Sequence, residues 1–153
     1  MPDGGTLLKY LHILAAMLYV SGYVAGVVLQ LAAGRATDWP TRSTLMRYAN
    51  LFTMRLLVPG FVAAGVLGVA TALVLGYPLL TGWVRNALVL YIVILATGVA
   101  YWTPLGKKQE AAALAGDEAA FSALAQRRAT RYVALLDIVI VLLLTYLMVV
   151  KPA

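Results

Sequence analysis

Three ionisable side chains, His12, Arg55 and Asp137, fall inside long apolar stretches of this sequence. Inside hydrocarbon such groups cost free energy, so they face a protein interior, pair with one another, or mark a site. His12 is the only histidine. A neutral imidazole can bind haem iron or copper through one ring nitrogen while the other donates the hydrogen bond that orients it. At about 100° per residue, His12, Tyr19, Tyr23 and Gln30 form one helical stripe, which makes His12, Tyr19 and Tyr23 candidates for a cofactor site. Met148 is the candidate second axial ligand, since methionine ligation raises the potential of a haem. The competing reading is a packed imidazole hydrogen-bonded to a neighbouring helix, with the methionine as filler. Copper held by one His and one Met lacks ligands unless tyrosines or a second chain supply them. Arg55 and Asp137 enter their stretches from the same side to similar depth, which predicts an intramembrane ion pair joining two helices. A further reading is a proton or ion path through His12, Arg55 and Asp137.

Other chemistries are excluded. The sequence has no GxSxG, Walker, HExxH or GxGxxG motif, so ordinary hydrolase, nucleotide-binding and metalloprotease arrangements are missing. The absence of cysteine removes disulfides, thiolate zinc sites, iron–sulfur clusters and covalent haem attachment.

The elements that would position these residues follow from hydropathy. Of 153 residues, 63% are hydrophobic and 12% charged, with a mean hydropathy of +0.88; a soluble domain carries about 25% charged residues. Four apolar runs, 7–33, 56–75, 83–102 and 132–150, each reach the ~20 residues that a helix needs to cross a bilayer. The expected fold is all-α, a four-helix transmembrane bundle running up-down-up-down, with residues 1–153 forming one integral membrane domain. Basic residues crowd the links 34–55 (Arg35, Arg42, Arg47, Arg55) and 103–131 (Lys107, Lys108, Arg127, Arg128, Arg131). The positive-inside rule makes these the cytoplasmic loops and puts both termini outside, in a bacterial cytoplasmic membrane. The net charge of +6 is therefore topological, and no nucleic-acid partner is expected.

Local signals refine the elements. Pro40-Thr41 opens a helix that runs into the second span, where Pro59 predicts a bend. Gly116-Asp117 marks a break followed by an N-cap. From Glu118 the chain is expected to continue helically through Arg131 into the fourth span, with Leu114, Phe121 and Leu124 available to lie against the membrane. Small residues at Gly60, Ala64, Gly68 and Ala72 line one face of the second span, and Gly22 and Gly26 form a GxxxG pair in the first. These stripes suit either close contact between spans one and two or a homodimer seam.

The segment Leu8-Lys9-Tyr10-Leu11-His12-Ile13-Leu14-Ala15-Ala16, with Val20-Ser21-Gly22, Pro59-Gly60, Trp83 and the ending Met148-Val149-Val150-Lys151-Pro152, resembles a bacterial family of small predicted integral membrane proteins of unknown function. More distantly, the first span is similar to copper-resistance D membrane domains and to the membrane-bound, haem-carrying protoporphyrinogen oxidase family. The latter resemblance implies that His12 is a haem ligand. This sequence departs from that pattern at Tyr19, where the family has Trp, and lacks the family's other histidines and its third-helix lysine. The resulting expectation is a redox-associated protein holding a b-type haem, or less readily copper, through His12. The alternative is a cofactor-free accessory subunit of a larger membrane complex. The topology is checked by cysteine labelling in intact cells: Lys107→Cys should be shielded from an impermeant maleimide and Lys151→Cys should react. Labelling of both from one side would overturn it.

Overall fold

A computed structural model describes residues 3–80 and 82–151, and the described residues are helical with short links and no strand. The helices in chain order are α1 (Gly4–Arg35), α2 (Trp39–Val74), α3 (Gly82–Ala115), α4 (Glu118–Ala125) and α5 (Arg128–Val150). α1, α2, α3 and α5 are each long and apolar enough to cross a membrane. The shortest has 23 residues, which at 1.5 Å per residue reaches ~34 Å. Large apolar side chains such as Val66, Val99, Ile92 and Leu142 are exposed along these helices. Such faces are at home in hydrocarbon and would be costly in water. The protein is a multi-pass integral membrane protein.

Contacts divide the chain into two compact units. In the first, α1 and α2 form an antiparallel hairpin, with Gly5 near Leu75 at one end and Gly22 near Leu57 further along. The end of α3 and the glycine after it, Ala113–Gly116, belong to this unit, and Gly116 lies against the Trp39 ring. In the second, α3 and α5 are antiparallel, with Tyr101 bonded to Thr130 and Lys151 over the Trp83 ring at 5.8 Å.

The α1–α2 joint is short because both helix ends are capped locally. Asp38 accepts the Thr41 N–H at 2.8 Å, and Pro40 sits in the first turn of α2 where its missing N–H costs nothing. That bond holds the Asp38 carboxyl below the usual carboxylate range. The cap's stabilisation is therefore complete above that range and is lost as pH falls through the lowered value. Arg42 closes the other side. Its Nε donates to the Ala33 carbonyl at 3.2 Å and its guanidinium to the Ala36 carbonyl at 2.8 Å, while it stacks 4.5 Å over Trp39. The Ala36 carbonyl at the end of α1 thus finds a cationic donor, and that of Ala33, which also accepts the Ala36 N–H, gains a second one.

Several boundaries differ from the sequence reading. The helix that carries the third apolar run does not stop near Trp102; α3 continues to Ala115, and α4 follows a break at Gly116, whose φ is +67°. The segment 103–131 is therefore largely helix. The helix expected to run unbroken from Glu118 into the fourth span is interrupted at Gln126–Arg127. Phe121 and Leu124 are buried against protein, whereas Leu114 points outward. The bend expected at Pro59 takes a particular form: Thr53–Leu57 is a π-turn, in which the Val58 N–H reaches the Thr53 carbonyl. Pro59 lacks the N–H that would meet the Arg55 carbonyl, and the wider turn absorbs the mismatch. A second π-turn, Gly98–Trp102, precedes Pro104 by the same spacing. Pro152, part of the quoted C-terminal motif, lies outside the described residues.

Arg42→Ala, which removes the guanidinium from two helix-end carbonyls, should lower stability in detergent by about 1–3 kcal/mol. Arg42→Lys should recover only part of this, because an ammonium lacks the planar fork. Thermal unfolding of the two variants beside the wild type measures both.

Candidate functional site within the membrane spans

The first hairpin is built around an unusually close approach. Gly5, His12, Tyr19, Gly26 and Ala33 recur every seventh position of α1, the period of a left-handed helix pair. A Cβ at Gly22 would lie 2.5 Å from the Leu57 backbone nitrogen, and one at Gly60 would lie 2.5 Å from that of Tyr19. Each helix thus presents a glycine to the other's main chain. Leu57 ends the π-turn of α2, and Thr53, which begins it, stands opposite Gly26 with its Oγ1 at 3.7 Å from a Cβ built there. The GxxxG pair therefore lies against the wide turn. Ala72 is buried in the same hairpin.

This approach places His12. Its Nδ1–H donates to the Ala64 carbonyl of α2 at 2.8 Å; a carbonyl only accepts, so the tautomer follows from the contact. Gly68, one turn beyond Ala64, makes room for the ring, and a Cβ there would come 3.0 Å from His12 Cε1. Tyr19 packs on Phe61 with ring centroids 5.5 Å apart and planes tilted by 53°. Tyr23 and Gln30 are half-buried further along the stripe. What the arrangement does chemically is tie α1 to α2 through an oriented imidazole.

The second hairpin holds the buried carboxyl. Asp137 is 4% exposed. Trp102 Nε1–H donates to its Oδ2 at 2.6 Å, and Thr97 Oγ1 lies 3.0 Å from its Oδ1. Five residues apart in an α-helix, Thr97 and Trp102 would point about 140° apart. The intervening π-turn, closed by i→i+5 bonds, brings them to one face. Beside them Tyr101 and Thr130 share a hydrogen bond of 2.7 Å, and the Tyr101 and Trp102 rings meet edge to face at 5.4 Å.

Within this hairpin the Asp137 carboxyl meets a hydroxyl and an indole N–H of α3. Arg55 lies in the π-turn of α2 and is exposed. Met148 is 39% exposed, while its neighbour Leu147 turns inward on the line of Asp137 and Ile140. Among the described residues, no group of three His, Asp or Glu side chains is placed to hold a metal ion, so copper finds no such ligand set there. Thr97, Trp102 and Arg42 were not singled out from the sequence for these roles. The Thr-Pro pair just after Trp102 is the one local sign that the helix is irregular there.

Four membrane-length helices in two tied hairpins define a small polytopic α-helical membrane protein. The chain belongs to the family described as predicted integral membrane protein (DUF2269), whose family model matches residues 6–152. Comparison with curated proteins gave no match, and comparison with solved structures gave none.

Gly22→Ala and Gly60→Ala should each destabilise the folded protein by about 1–3 kcal/mol through overpacking against backbone. Gly26→Ala, with only an ordinary contact to meet, should be tolerated. Unfolding in mixed detergent micelles distinguishes them.

Proposed function

We propose that this protein is a cofactor-free accessory subunit of a larger membrane assembly, with intramembrane polar side chains that hold its own helices together. One observation carries the reading: the His12 Nδ1–H bond to the Ala64 carbonyl, with the ring seated on Gly68. That contact makes the single imidazole a tie between α1 and α2. The broad outward apolar faces suit life in a bilayer, where association proceeds through packing and polar contacts.

The same contact favours a second reading, a b-type haem bound at His12. A donor bond from one ring nitrogen to a carbonyl is how ligating histidines are oriented, leaving the other nitrogen to face the metal. His12 is the residue that would hold the iron of such a haem. A haem there would supply one-electron redox chemistry, and the role of His12 would be to hold the iron and set its basicity through the Ala64 carbonyl. The resemblance of the α1 opening to haem-carrying membrane oxidases supports this alternative, as the missing histidines and lysine oppose it.

One set of spectra separates the two. Gently solubilised wild type, before and after haem supplementation, should show no Soret band on the accessory reading. His12→Ala should then lower stability by about 1–3 kcal/mol, the cost of stranding a part-buried partner, with His12→Gln recovering part, and the wild type should co-purify with a membrane partner. A Soret band in the wild type that disappears in His12→Ala would establish the haem site instead.

A further inference from the structure

The hydrogen count around Asp137 does not close for a carboxylate. Thr97 Oγ1 lies 3.0 Å from Asp137 Oδ1 and 2.9 Å from the Ile94 carbonyl oxygen. A hydroxyl has one hydrogen, and both an ionised carboxylate and a carbonyl only accept. With Asp137 ionised, that one hydrogen must be divided between two acceptors, so neither contact is a full hydrogen bond. The other carboxyl oxygen is already fixed as an acceptor, because the indole of Trp102 can only donate to it. The group is 4% exposed inside a membrane-spanning helix, and its two hydrogen-bond partners there are neutral. A bare charge in that setting is strongly disfavoured.

We propose that Asp137 carries a proton: in the folded protein it is a neutral carboxylic acid, and the Thr97–Trp102 turn is a proton-binding site within the bilayer. One added hydrogen closes the count. Asp137 Oδ1–H donates to Thr97 Oγ1, the Thr97 hydroxyl donates to the Ile94 carbonyl, and Trp102 Nε1–H donates to Asp137 Oδ2. Three hydrogens then meet three acceptors, with none left over. Tyr101, the titratable neighbour in the same π-turn, has its hydroxyl bonded to Thr130 and takes no part in the chain. The proposal stands apart from the accessory and haem readings, which concern the other hairpin. A carboxyl that stores a proton at this depth is the element that a proton-coupled membrane protein needs.

The test is infrared difference spectroscopy of the full-length protein in lipid at neutral pH, wild type against Asp137→Asn. The expected result is a carboxylic acid C=O absorption in the wild type that shifts down in deuterium oxide and is lost in the variant. Asp137→Asn should also match wild-type thermal stability, because its amide can donate to Thr97 and accept from Trp102 in the same pattern. Thr97→Val, which removes the receiving hydroxyl, should move the acid band to the position of a weaker hydrogen bond. A carboxylate signal at neutral pH that gives way to the acid band only on acidification would overturn the proposal. So would an acid band indifferent to Thr97→Val.

Discussion

Hydrocarbon offers no hydrogen-bond partner, and that constraint governs this structure from its helix ends to its polar side chains. In a bilayer each unsatisfied backbone or side-chain polar group costs several kcal/mol, so the chain must satisfy them from within. Long helices do this for the backbone. Asp38 and Arg42 do it for the two helix termini at the α1–α2 joint. His12 and Asp137 meet the same demand inside the spans by reaching across to the partner helix.

The two hairpins answer it in different ways. In the first, main chains come so close at Gly22 and Gly60 that no Cβ fits, and an imidazole can reach a carbonyl already engaged in its own helix. Gly68 is part of that arrangement, because a larger residue would push the ring away from Ala64. In the second, the tie is a buried carboxyl bonded to a hydroxyl and an indole N–H. Helices that cannot be driven together by the exclusion of water need one or the other.

Much of this was legible in the sequence. Four uninterrupted apolar runs admit only membrane helices, and the small-residue stripes in spans one and two were visible as i, i+4 repeats. The Asp117 cap also lay where Gly116-Asp117 put it, with its carboxylate on the Ala120 N–H. What could not be read is instructive. Hydropathy ends a span where the residues turn polar, but the backbone of α3 has no reason to stop at Trp102 and continues through Thr103–Ala115. Periodicity assumes an unbroken α-helix, so it gives Thr97 and Trp102, joined through a π-turn, unrelated directions. Arg42 looked like one more topological charge, because nothing in composition shows that a three-residue link brings it under the end of α1.

The two π-turns connect these points. Each is followed, one residue later, by a proline, whose missing N–H would otherwise strand a carbonyl in the apolar layer. A π-turn is wider than the α-helix around it, so the helix packed on it must accommodate that width. α1 does so with Gly22 and Gly26, which sit opposite Leu57 and Thr53 at the two ends of the first π-turn. α5 instead places Asp137 against the second, where Trp102 lies within the turn and Thr97 immediately precedes it. The same backbone irregularity therefore serves two ends, close packing where the neighbour is glycine and a polar site where the neighbour is a carboxyl. The difference is set by the residue on the facing helix, not by the proline that caused the turn.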